Sequence, residues 1–161
     1  MEFYLKLPRN KNEFALFLMI ISIISVNIIA PLITCFELEF SKEIWASTYT
    51  VIPFIWFSVI AIVLLTYKPA EYLTKKIVDE KDSFNSFVVV NILCSVFLIS
   101  IFLTIVGSWI GQRQISKEPL IHFFYKWPRN FAISFAVEAL LAQPIARFVM
   151  KKIHENKDKL K

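Results

Sequence analysis

Residues 14–36 read FALFLMIISIISVNIIAPLITCF, a run without a single ionisable side chain apart from the thiol of Cys35. At about 1.5 Å of rise per residue, such a run makes a helix roughly 34 Å long, enough to cross the hydrocarbon core of a bilayer. Lipid offers no hydrogen bonds to a peptide backbone, so a helix is the way to satisfy those groups there. Lys6, Arg9 and Lys11 precede the run, as in a secretory leader, but no small-residue cleavage motif follows it, and a retained first span is expected. Pro31 is expected to kink its outer end.

Three further runs of the same kind follow. Ala46 to Tyr67 has Pro53 near its beginning and Trp45, Tyr49 and Tyr67 placed for interfacial depths. Residues 84–111 are longer than a crossing requires, which tilt accommodates. Residues 131–150 are the least apolar, being interrupted by Glu138, Gln143 and Arg147. Pro128 lies at the expected start of this last helix and Pro144 is expected to bend or divide it. With 57% hydrophobic residues and 19% charged ones, a soluble fold of this size would have to bury several helices that lack a polar side. The sequence therefore specifies an all-α, polytopic membrane protein with four transmembrane helices, arranged as two tandem helical hairpins. The corresponding division is a first hairpin at 1–78, a second at 79–153 and a charged tail at 154–161.

Charge distribution orients the spans. The segment before the first span, the 68–83 connector and the tail from Arg147 hold thirteen Lys and Arg, whereas the 37–50 and 112–130 connectors hold five. That bias puts both termini and the middle connector on the cytoplasmic side. It also accounts for the net charge of +5 without a nucleic-acid partner. The partners expected are the lipid bilayer and either a second copy or another membrane protein.

Pro53 and Pro69 are sixteen residues apart, as are Pro128 and Pro144, and basic exits follow in PAEYLTKKI and PIARFVMKKI. The order of span, outer connector, span, proline and basic exit repeats, which favours two hairpins in tandem. On these residues the chain resembles the small bacterial membrane family known as domain of unknown function 2798. The local match is WPRNFAISFAVEALLAQPIARFVMKKI at 127–153, with FNSFVVVNILCSVFLISIFLTIVG at 84–107 as its hairpin partner. The pair 14–36 and 46–78 resembles a more divergent copy, in which Pro69 takes the proline position and Tyr72 stands where Arg147 would. The resemblance spans about 140 residues and implies a two-helix membrane module; it brings no activity or substrate with it.

Glu138 is the most informative residue. A carboxylate within a lipid-embedded helix has to face a protein seam or a polar cavity. It serves equally as an inter-helix hydrogen-bond partner or as the carrier of a proton or cation. In an unbroken helix Arg147, nine residues on, is rotated by about 900°, to nearly the opposite face, so a direct pair would need help from the Pro144 bend. Gln143, Asn27 and Asn91 complete the candidate transport or inter-helix polar site. Arg147, Lys151 and Lys152 form a candidate anchor at the cytoplasmic headgroups. Cys35 and Cys94 read as small packing residues. His122 and His154 fall in an outer loop and in the tail, far from any ligand cluster, and the tail HENKDKLK reads as solvated. No catalytic constellation, metal site or cofactor motif is present, and the chain is not expected to be an enzyme. Ala132, Ala136, Ala139 and Ala142 permit close helix packing, so the chain reads first as a structural or interaction module, with a small proton-coupled transporter as the alternative.

Overall fold

The computed structural model describes residues 7–79 and 81–159, and every regular element among them is helical. Lys6 and Lys161, counted above in the charge distribution, lie outside the described residues. Helix α1 spans Lys11–Glu37, α2 Lys42–Thr48, α3 Ile52–Ile77, α4 Phe84–Gln112, α5 Glu118–Ile121, α6 Phe123–Val137 and α7 Gln143–Lys159. A π-helical turn, Glu138–Ala142, joins α6 to α7 without a break. Counting α6, the turn and α7 as one rod, four helices are long and apolar enough to cross a membrane.

Caps set several of the boundaries. The side chains of Asn10, Ser41 and Ser83 accept hydrogen bonds from the backbone N–H of Glu13, Ile44 and Ser86, each three residues on, and so satisfy orphan donors of α1, α2 and α4. The second span corrects the expected one: instead of starting at Ala46, residues 42–48 form the separate helix α2, and α3 begins at Ile52 with Pro53 in its first turn. Proline supplies no N–H and its ring crowds the carbonyl four residues back, so a helix arriving from α2 ends before it and a new one starts. The fourth rod departs from expectation in the other direction. It starts at Phe123, carries Pro128 inside its second turn and runs through to Lys159. Pro69 likewise sits inside α3 without ending it.

The four rods pack as a ring. Helix α1 lies against α3 on one side and against α6, the π-turn and α7 on the other, while α4 closes the ring between α3 and α6. The most extensive interface is α3 with α4, which straddles the boundary expected between the two hairpins. Asn91 Nδ2 donates to Thr74 Oγ1 across it at 3.2 Å. One apolar cluster, Phe17, Ile21, Ala142, Ala146 and Met150, joins α1 to the π-turn and α7. A second, Val88, Ile92 and Val96, packs α4 on Phe131, Phe135 and Ala139. Phe54, Phe57, Leu64 and Leu65 of α3 remain exposed, as suits side chains facing acyl tails that are as apolar as leucine.

Along α6, Phe123, Trp127, Phe131 and Phe135 stack at four-residue spacing, with ring centroids 5.8, 5.9 and 6.2 Å apart. Phe97 of α4 meets Trp127 and Phe131 edge-on. Trp127 Nε1 donates to Ser100 Oγ at 2.9 Å, tying the ladder to α4. Trp127→Phe keeps the ring and loses the bond; it is expected to lower stability by about 1 kcal/mol, read as an earlier midpoint in a denaturing-detergent titration.

Candidate functional site: a polar cavity inside the bundle

The ring lines a partly open cavity of about 410 Å³. Its lining runs from Phe14 and Tyr67 toward one end of the bundle, past Glu138 and Gln143 in the middle, to Glu37, Gly111 and Gln112 near the other. The walls are mostly aliphatic and aromatic, with hydroxyl or amide groups from every rod, among them Ser25, Thr66, Asn91 and Ser134. Most of these hydroxyls arise at positions where a Ser or Thr can bond its own helix carbonyl, as Thr34 does to Ala30 and Thr66 to Ile62. They are therefore tolerated in an apolar setting while leaving lone pairs toward the interior.

Glu138 lines this cavity. Its Oε2 accepts a 2.5 Å hydrogen bond from Ser25 Oγ of α1, and Gln143, at the end of the π-turn, lines the same cavity. Arg147 Nη2 donates to Gln143 Oε1 at 3.4 Å. Gln143 thus stands between Glu138 and Arg147 along the rod, with its oxygen engaged by the guanidinium.

This alignment contradicts the opposite faces expected for Glu138 and Arg147. The cause is the π-turn. Pro144 cannot donate to the carbonyl of Leu140, and the turn just before it closes instead with a bond from the Gln143 N–H to the Glu138 carbonyl. One added residue takes back about 100° of rotation, so the angle of about 180° shrinks to about 80°. Gln143 then sits over Glu138, and Arg147 follows one α-turn later.

The other sequence candidates divide. Asn91 lines the same cavity while bonding Thr74. Asn27 does not line it: its Nδ2 donates to the Ile23 carbonyl of its own helix at 2.7 Å. Lys151 pairs with Glu155 at 3.7 Å, and the Lys152 ammonium lies 5.5 Å from the centre of the Phe148 ring. Cys35 and Cys94 are buried thiols.

Each end of the bundle carries an ion cluster. At the end holding α2 and α5, Arg129 donates to the Phe36 carbonyl and to Glu37, and Lys126 bridges Glu37 and Glu118. Lys126, with help from Gln112, holds the Glu118 carboxyl below its usual range.

At the other end, Glu13 is buried one residue ahead of the first apolar run. Its Oε1 takes a 2.8 Å bond from Lys157 Nζ and its Oε2 lies 2.9 Å from His154 Nε2. These partners, Lys157 foremost, with His154 and the Arg9 N–H, pull its pKa down to about 2. A carboxylate so ionised accepts, and His154 Nε2–H donates. His154 is fully buried, which corrects the reading of the tail as solvated at this one residue; Asn156 to Lys159 beyond it are exposed. The sequence carried a signal for it: Ala142, Ala146, Met150 and His154 recur every four residues, and all four are 0% exposed. The stripe facing α1 thus continues into the charged segment.

Residues 85–154 match the family described as domain of unknown function (DUF2798). The matched segment takes in α4 from its second residue, α6 and the π-turn with Glu138, and gives no evidence for a second, tandem copy. No curated protein and no solved structure matches the chain.

Proposed function

We propose that this membrane protein is a small transporter whose proton-carrying group is Glu138. The observation behind this reading is the cavity: a space of about 410 Å³ that extends along the bundle and has that carboxylate in its wall. Its size falls within the roughly 300–1,000 Å³ usual for small-molecule sites, and so does its mixture of apolar walls with a few convergent polar groups. An intramembrane carboxylate is costly unless it is used or compensated. Here its neighbours are neutral, a hydroxyl and an amide. A bacterial inner-membrane location with cytoplasmic termini goes with the proposal, supported by the thirteen-to-five distribution of Lys and Arg between the two sets of connectors.

The test is proton flux into vesicles reconstituted with the full chain, read with an internal pH dye under an imposed gradient. The native protein is expected to give a flux well above protein-free vesicles, and Glu138→Gln to return it to that background. A flux that survives the substitution unchanged would remove Glu138 from the mechanism.

A second reading, a structural or interaction module that self-associates, draws on one observation. Of the five alanines of the fourth rod, Ala139, Ala142 and Ala146 are used inside the chain, whereas Ala132 and Ala136 are exposed at four-residue spacing. Close approach of a second helix there is supported by their size. Crosslinking in native membranes, repeated with Ala136→Leu, distinguishes a specific pair from a monomer.

A further inference from the structure

Among the described residues, no Lys, Arg or His lines the cavity, and its charged side chains are Glu37 and Glu138. Glu37 stands at the rim and is already neutralised by Arg129 at 3.1 Å and Lys126 at 3.9 Å. Glu138 has no ion-pair partner of this kind. The elements packed on the π-turn bring it Ser25 from α1 and Gln143 from the head of α7, and α4 contributes neutral Asn91 and Ser95 to the same cavity. Arg147, the charged side chain next along α7, is held by Gln143. Tyr67 of α3 is the other titratable group of the wall. An anion would therefore meet only carboxylates and neutral dipoles, whereas a cation can take the place of the Glu138 proton and leave the charge of the site unchanged. The walls around it, including Phe17, Ile21, Ile92 and Val96, are apolar.

Resting on the transport reading, we propose that the cavity takes a small organic monocation with an apolar body, which binds at Glu138 in place of a proton. One carboxylate holds either occupant, so the proton it releases to solvent water leaves as the cation enters. The net charge of the occupied site is the same in both states. Exchange is accordingly one for one and electroneutral, driven by a pH gradient and indifferent to the membrane potential.

The test uses ethidium, a fluorescent aromatic monocation, with the purified full chain in neutral detergent and again in vesicles. Expected is saturable binding that tightens by up to tenfold per pH unit over the range in which the cation must displace a proton. Binding is expected to be at least tenfold weaker in Glu138→Gln, whereas Glu138→Asp, which keeps the charge, retains the pH dependence. In vesicles, an outward proton gradient but not a potassium diffusion potential should drive ethidium uptake.

Equal affinity of native protein and Glu138→Gln overturns the proposal, as does equally tight binding of uncharged phenanthridine. If Glu138→Gln does not fold, loss of the pH dependence in Glu138→Asp overturns it. Glu138-dependent proton flux without ethidium binding overturns the ligand class and leaves the transport reading standing. Proton flux that does not need Glu138 overturns both.

Discussion

Glu13→Ala is expected to destabilise the protein by about 1–3 kcal/mol, the range for removing one partner of a buried hydrogen bond. The substitution takes the carboxylate away from the fully buried His154 ring and from Lys157 at once. It therefore loosens the join between the start of α1 and the end of α7. The measurement is the thermal midpoint in a mild detergent, with Glu13→Gln as the companion variant that keeps an acceptor but no charge.

The same cluster predicts a pH dependence. An ordinary glutamate titrates near 4.5 and Glu13 at about 2 in the folded protein, so the unfolded chain binds more protons between those values. Its stabilisation is complete above pH 4.5 and is lost as the pH falls toward 2. Glu118, also held low by Lys126, contributes in the same direction. The contribution of Glu13 is the difference in slope between native protein and Glu13→Gln, and parallel slopes would count against the ionised pair.

Ala146→Leu is the second substitution with a large expected effect. Ala146 has no exposed surface and packs in the cluster of Phe17, Ile21, Ala142 and Met150. A residue three carbons larger has no void to enter, and overpacking of this kind typically costs about 1–3 kcal/mol. The strain falls on the α1–α7 contact, one turn from the Ser25–Glu138 hydrogen bond in the neighbouring layer. The expected result is a lower thermal midpoint together with reduced proton flux. Ala61→Leu, at an exposed position of α3, should leave both unchanged and serves as the control.

The spans were legible in the sequence because runs of 20 or more apolar residues have one stable backbone solution in lipid. The run at 84–111 corresponds to α4, Phe84–Gln112, almost residue for residue. Where the reading slipped, proline chemistry was decisive. Pro53 divides the second run into α2 and α3, while Pro69 and Pro128 are absorbed inside helices. Glu138 stood out as a lone carboxylate in an apolar stretch. Its relation to Arg147 did not, because an angle counted at 100° per residue takes no account of an inserted π-turn. The cavity was invisible for another reason: it arises from a ring of four rods, and no periodicity along one rod reports on the space between them. The Glu13–His154 contact joins residues 141 apart, and only the four-residue stripe ending at His154 hinted at it.

The ring closure at His154 has an implication for any shorter chain built on residues 84–159. Such a fragment would turn the stripe of Ala142, Ala146 and Met150 toward acyl chains, and oil has nothing to offer an imidazole N–H. It could shelter that flank only by recruiting another rod with an acid at the matching depth. Two antiparallel rods of this pattern are half of a cross-section, and the first helix of this protein supplies from within what a lone pair would have to borrow from a neighbour.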